Sequence, residues 1–192
     1  MPNWFYGNVR LSGDSQEKLL PFKEYFSKYE EGPYGEIVCI DQEKGFAETF
    51  LPLQGGKWNY ANAIDMWGVK WDLNINQIHN ENPDEIQFSF ESAWRMPTCM
   101  FARMEKRYGI NIECVGYEEQ ELGFEKYSQG IYISLMDEEL DTYLDVEYPK
   151  ENYKHIQEDD QRHFREVIFC EALDEWAEKV DMSEGRVVLI EF

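Results

Sequence analysis

The side chains of this sequence that could do chemistry are mostly carboxylates. Thirty-nine Asp and Glu stand against 18 Lys and Arg, beside three histidines and four cysteines. Two carboxylates at one site can divide acid and base work between them, and Asp72 and Glu91 are the pair that an enzyme of this kind would draw on. Nothing in their spacing joins them. His79, His155 and His163 have no histidine or cysteine three or four residues away, so no helical pair of metal ligands forms. No serine sits in a GxSxG elbow, and the chain has neither a P-loop nor a GxGxxG turn. Cys39, Cys99, Cys114 and Cys170 form no CxxC pair. Their apolar neighbours (Val38, Ile40, Met100, Val115, Phe169) predict buried free thiols in a reducing compartment. Asp137, Glu138, Glu139, Asp141 and Asp145 have the composition of a calcium loop. Thr142 stands where that loop needs Gly, and Tyr148 where it needs Glu. The sequence therefore predicts no enzyme, no cofactor and no bound metal.

What remains is surface. The net charge is −21, and residues 113–160 alone hold 15 acidic and 3 basic side chains. A charge of this sign repels the phosphates of nucleic acid and of anionic membranes, which excludes direct binding to either. It favours a basic partner. The candidate face comprises Glu118, Glu119, Glu121, Asp137, Glu138, Glu139, Asp141, Asp145, Glu147, Glu158, Asp159 and Asp160. Tyr127, Tyr132, Tyr143, Tyr148 and Tyr153 interleave with it. A track of carboxylates imitates a track of phosphates and would occupy the nucleic-acid groove of a basic protein. A second candidate is a pocket for a small molecule or peptide at Trp67, Lys70, Trp71, Asp72 and Trp94, since aromatic side chains anchor ligands. Against it stands a structural role, with these indoles packed into the core.

These groups must be positioned by an α+β scaffold. Trp4, Tyr6, Val9 and Leu11 predict a first strand ending at Gly13. Asp14 and Glu17 have the spacing of a capping box before Leu19, Phe22, Phe26 and Tyr29, which recur at helical intervals around an awkward Pro21. Residues 33–65 are less regular, with a short strand over 36–40, and are expected to wrap the core. Residues 67–73 predict a strand entered through Gly68. Ile86, Phe88 and Phe90 alternate with polar residues as a half-buried strand does. Pro97 to Tyr108 predicts a helix stopped by Gly109, followed by a strand over 110–118 and a hairpin turning at Ser128-Gln129-Gly130. Phe164, Val167, Ile168, Ala172, Trp176 and Val180 predict a long helix, and Val187 to Ile190 a final strand. The order fits an antiparallel sheet with two helices on one face. Residues 136–192 add an acidic extension with one long helix and a final strand, packed on that sheet or continuous with it. No basic, apolar leader opens the chain, and no run reaches the ~20 apolar residues of a membrane span, so a cytoplasmic protein is expected.

Several pieces occur together in one order: Asn3-Trp4, Trp67-Gly68-Val69-Lys70-Trp71-Asp72, Ala93-Trp94 before Pro97, Tyr117-Glu118-Glu119 and Gly123-Phe124. In these the chain resembles the YubB-type ferredoxin-like family of plasmid- and phage-borne proteins, a family without an assigned molecular function. The resemblance covers residues 1–135. It implies a ferredoxin-like sheet with two helices on one face over those residues, a bacterial host cell and a mobile element, and leaves residues 136–192 unplaced. Three positions depart from the family pattern: Gly7 replaces Asn, Met96 replaces a second Pro, and Glu125-Lys126 replace a small residue with glycine.

Overall fold

The computed structural model describes residues 3–32, 37–40, 44–79, 82–119, 123–147 and 158–188. Strand β1 (Trp4–Ser12) forms where residues alternate between two environments: Phe5, Val9 and Leu11 are buried, while Asn8 and Arg10 are exposed. It pairs antiparallel with β5 (Glu85–Ala93) on one side and with β6 (Asn111–Glu118) on the other. Strand β4 (Asn74–His79) lies outside β5, with a register shift between Ile75 and Gln77. Helix α1 (Gln16–Phe26) follows β1, and α4 (Thr98–Tyr108) follows β5. The spatial order β4-β5-β1-β6, with α1 following β1 and α4 following β5, is the ferredoxin-like arrangement. β7 (Gly123–Ser128), β8 (Ile131–Met136) and the short β9 (Arg186–Val187) extend it to seven strands among the described residues. Gln129 and Gly130 both have positive φ (49° and 80°), which gives the β7–β8 hairpin the twist its strands need.

Both faces of the sheet are used. On the first, Leu19, Phe22, Tyr25 and Phe26 of α1 and Met100, Phe101 and Met104 of α4 cover the inward residues of β1, β5 and β6. Gly7 belongs to this face. A side chain there would run into the Phe90 ring, which explains in packing terms why this chain carries glycine. On the second, α5 (Asp137–Glu147) and α6 (Glu158–Lys179) cover only the β6–β8 half. Leu140, Phe169, Ala172, Leu173, Trp176 and Ala177 pack there on Phe124, with Val115, Ile133 and Leu135 at the margin.

The structure corrects several expectations. The segment expected to wrap the core supplies part of it. β2 (Tyr29–Glu31) and β3 (Ile37–Cys39) pair as a hairpin, and α2 (Phe46–Phe50) buries Phe46, Ala47 and Phe50. The Phe50 ring stacks on Phe22 with centroids 4.4 Å apart. No strand runs from Trp67 to Leu73. Trp67 closes helix α3 (Tyr60–Trp67), which the Asn59 side chain caps by accepting from the Ala61 and Asn62 amides, and which Gly68 ends at φ 79°. The capping box at Asp14 does not form. Ser15 is the N-cap residue, and Asp14 instead pairs with Lys18 at 2.9 Å. Of the four cysteines only Cys114 is buried; Cys39 and Cys99 are half-buried and Cys170 is exposed. Residues 137–147, read only as acidic sequence, form α5. Of the final strand expected over 187–190, Val187 pairs with β8, joined by Arg186 before it, while residues 189–190 lie outside the described residues.

Candidate functional site

The acidic face is built by two amphipathic helices. Leu140 of α5 points down into the second core, which leaves Glu138, Glu139, Asp141 and Glu147 exposed. Helix α6 buries Phe169, Leu173 and Trp176, and so turns Glu171, Asp174, Glu175 and Glu178 outward. The two rows meet. Burial raises the Tyr143 hydroxyl above its usual pKa; Lys179 opposes the rise, and Glu175 of α6 and Glu147 of α5 both add to it. Lys179 pairs with Glu175 at 3.1 Å. It is the one basic side chain described on the outer surface of either helix. The Asp174 carboxyl is itself raised from its ordinary value, by burial and then by Glu178.

Other members of the proposed track lie elsewhere. Glu118 is buried at 6% exposure, on the first face of the sheet. Glu119 is exposed and accepts the Trp4 amide at 3.1 Å. Glu121 lies outside the described residues, as do Tyr148 and Tyr153. Asp137 and Asp145 belong to α5, and Glu158, Asp159 and Asp160 to the first turn of α6; the structure describes their backbone only. Glu171, Asp174, Glu175 and Glu178 were missed by sequence reasoning. The signal was present, because they fill the gaps between Ile168, Ala172, Trp176 and Val180 on the helical stripe.

The tryptophan motif divides between core and surface. Trp67 is 2% exposed, and its indole donates to the Leu51 carbonyl at 2.8 Å, so it is a core residue. Asp72 is structural as well. Its carboxylate accepts the Ala47 and Glu48 amides at the start of α2 and the Leu73 amide, at 2.6, 2.9 and 2.7 Å. Burial still raises its pKa, against these bonds. Glu91 accepts from Asn74 and Asn76, both at 3.1 Å, and forms no pair with Asp72 among the described contacts. Lys70, Trp71 and Trp94 do come together: the Lys70 ammonium lies 4.3 Å from the Trp71 ring centre and 5.5 Å from that of Trp94. Sequence reasoning did not place Trp4 and Trp58 beside them. Trp4 packs on Trp71 at 6.0 Å, and the Trp58 indole donates to the Lys70 carbonyl. They were missed because the sheet end that gathers them draws on four separate stretches of chain.

A second carboxyl is buried on the first face. Glu125, 3% exposed, accepts the Met96 amide at 3.3 Å and is hydrogen-bonded to Tyr132. Burial lifts its pKa, and the charge of Glu118 adds to the rise. No group of three His, Cys, Asp or Glu side chains suited to a metal ion occurs among the described residues. No helix of the described residues is long and apolar enough to cross a membrane.

Residues 70–163 match the family model of the ferredoxin-like domain in Api92-like protein. The match runs from just before β4, through α5, to the start of α6. It therefore includes part of the acidic segment on which the sequence resemblance had nothing to say. No curated protein and no solved structure matches the chain.

Proposed function

We propose that this chain is a non-enzymatic interaction protein of a mobile element, whose acidic two-helix face docks on a basic, nucleic-acid-handling host protein. The observation that carries this reading is the orientation of α5 and α6. Their apolar sides are consumed by the sheet, and their outward sides carry Glu138, Glu139, Asp141, Glu147, Glu171, Asp174 and Glu178 with almost no basic counterweight among the described side chains. Carboxylates fixed on packed helices are held in place as the phosphates of a duplex are. They attract a basic groove without the cost of ordering a flexible acidic tail. The plasmid and phage setting comes from the sequence resemblance, and a host defence nuclease complex is one partner of this chemistry.

The test is competition. A basic partner captured on the immobilised chain should be released by duplex DNA, and its affinity should fall about tenfold or more as salt rises from ~50 to ~200 mM. Capture indifferent to both DNA and salt would contradict the proposal.

A further inference from the structure

Four of the six tryptophans gather at one end of the sheet, and two of them are well exposed: Trp58 at 54% and Trp94 at 40%. Isolated exposed aromatics need no explanation, but a contiguous group on a highly charged protein does. The backbone adds a second observation. Trp94 has a φ of 73°, the left-handed region that bulky residues rarely occupy. Its amide is held there by the Asn3 carbonyl at 2.9 Å. The fold thus accepts local strain to present this indole at the surface.

The group already contains a cation, since the Lys70 ammonium lies over the rings of both Trp71 and Trp94. The rim is acidic. Glu119 is bonded to the Trp4 amide, and the neighbouring Tyr6 hydroxyl lies in the field of both Glu91 and Glu119. Indole faces bordered by carboxylates suit a positively charged planar group, and arginine stacks on aromatic rings more readily than lysine does. An anionic ligand would meet Lys70 but also the carboxylates on the Trp4 side and the overall charge of −21.

We infer that Trp58, Trp71 and Trp94 form an anchor for an arginine side chain of the basic partner, and that Lys70 is a built-in placeholder which this arginine displaces. The inference rests on the reading of the chain as a binder of basic proteins, and adds to it where the short-range specificity lies. The acidic helices attract at a distance; the indoles hold one side chain at contact.

The probe is a short peptide of alternating Arg and Gly, titrated into the full chain, with the indole N–H resonances followed by NMR. Trp58, Trp71 and Trp94 should shift while the buried Trp67 and Trp176 stay still. Trp94→Ala should weaken binding about five- to thirtyfold. Lys70→Ala should tighten it about two- to fivefold, because the placeholder is gone. A purely structural Lys70 would give no such gain, so unchanged or weaker binding in Lys70→Ala overturns the placeholder. Peptide binding that leaves all six indoles unmoved overturns the anchor and leaves the acidic face standing. No binding of the peptide at all counts against both.

Discussion

Asp72→Ala tests whether a residue drawn from the tryptophan motif serves structure or ligand. The Asp72 carboxylate caps α2 from 25 residues away, in a helix whose own N-cap, Gly45, supplies no side chain. Truncation leaves three amides without their acceptor: Ala47, Glu48 and Leu73. Losing a cap costs about 0.5–2 kcal/mol, and stranding each further part-buried amide costs about 1–3 kcal/mol. The carboxylate was itself partly desolvated, which its raised pKa records, and removing it returns some of that energy. A net loss of about 3 kcal/mol follows, or about 6–12 °C in Tm for a chain of this size. Gly45 provides an independent check, because a methyl group there would collide with the same carboxylate. Gly45→Ala should therefore destabilise the wild-type chain but cost much less in the Asp72→Ala background, a coupling that a double-mutant cycle reads directly. The assay is urea unfolding followed by tryptophan fluorescence and far-UV circular dichroism. A change under ~0.5 kcal/mol in Asp72→Ala, or additive effects of the two substitutions, would refute the capping argument.

Three further outcomes are expected. The buried carboxyls Glu125, Glu105 and Asp72 all have folded pKa values raised chiefly by burial. The folded state therefore binds their protons more readily, and stability should be highest below the ordinary carboxylate values and fall as pH rises through the raised ones. Urea midpoints that fall as pH rises from the ordinary carboxylate values of about 4, with a flatter profile in Glu125→Gln, would agree; a rise in stability over that course would not. Gly7→Ala should cost about 1–3 kcal/mol by forcing the Phe90 ring aside, and an unchanged unfolding midpoint would show that the strand pair yields freely. Trp176→Ala should cost about 3–5 kcal/mol and lower hydrogen-exchange protection first in α6, where Trp176 meets Phe124; uniform loss across the sheet would mean that α6 is not a separately held layer.

Much of the scaffold was legible because its signals are local. Alternation over Ile86, Phe88 and Phe90, the Gly109 stop and the Gln129-Gly130 turn each act within a few residues, and each appears where the pattern placed it. Errors arose where distant groups decide. The amides of α2 are capped by Asp72 and not by their neighbours, so residues 46–50 carried no start signal of their own. Trp67-Gly68 read as a strand because an apolar residue beside glycine suits either a strand or a helix end; the Asn59 cap decided it. Charge density pointed to the acidic segment but not to its shape. Glu118 counts like any other glutamate in a sum, yet the register of β6 turns it to the buried face. The tryptophan cluster was half legible: Lys70, Trp71 and Trp94 were named, while Trp4 and Trp58 reach it through the sheet register and a side-chain hydrogen bond.

The central claim is that the outward carboxylates of α5 and α6 hold a basic partner. It is met most directly by neutralising six of them (Glu138→Gln, Glu139→Gln, Asp141→Asn, Glu171→Gln, Asp174→Asn, Glu178→Gln) and measuring affinity for a captured basic nucleic-acid-binding protein across a salt series. All six are exposed, so the fold should survive. Neutralisation should cause a large loss of affinity at low salt, a shallower salt dependence and loss of competition by duplex DNA. Equal affinity and an equal salt slope for the neutralised and wild-type chains would contradict it.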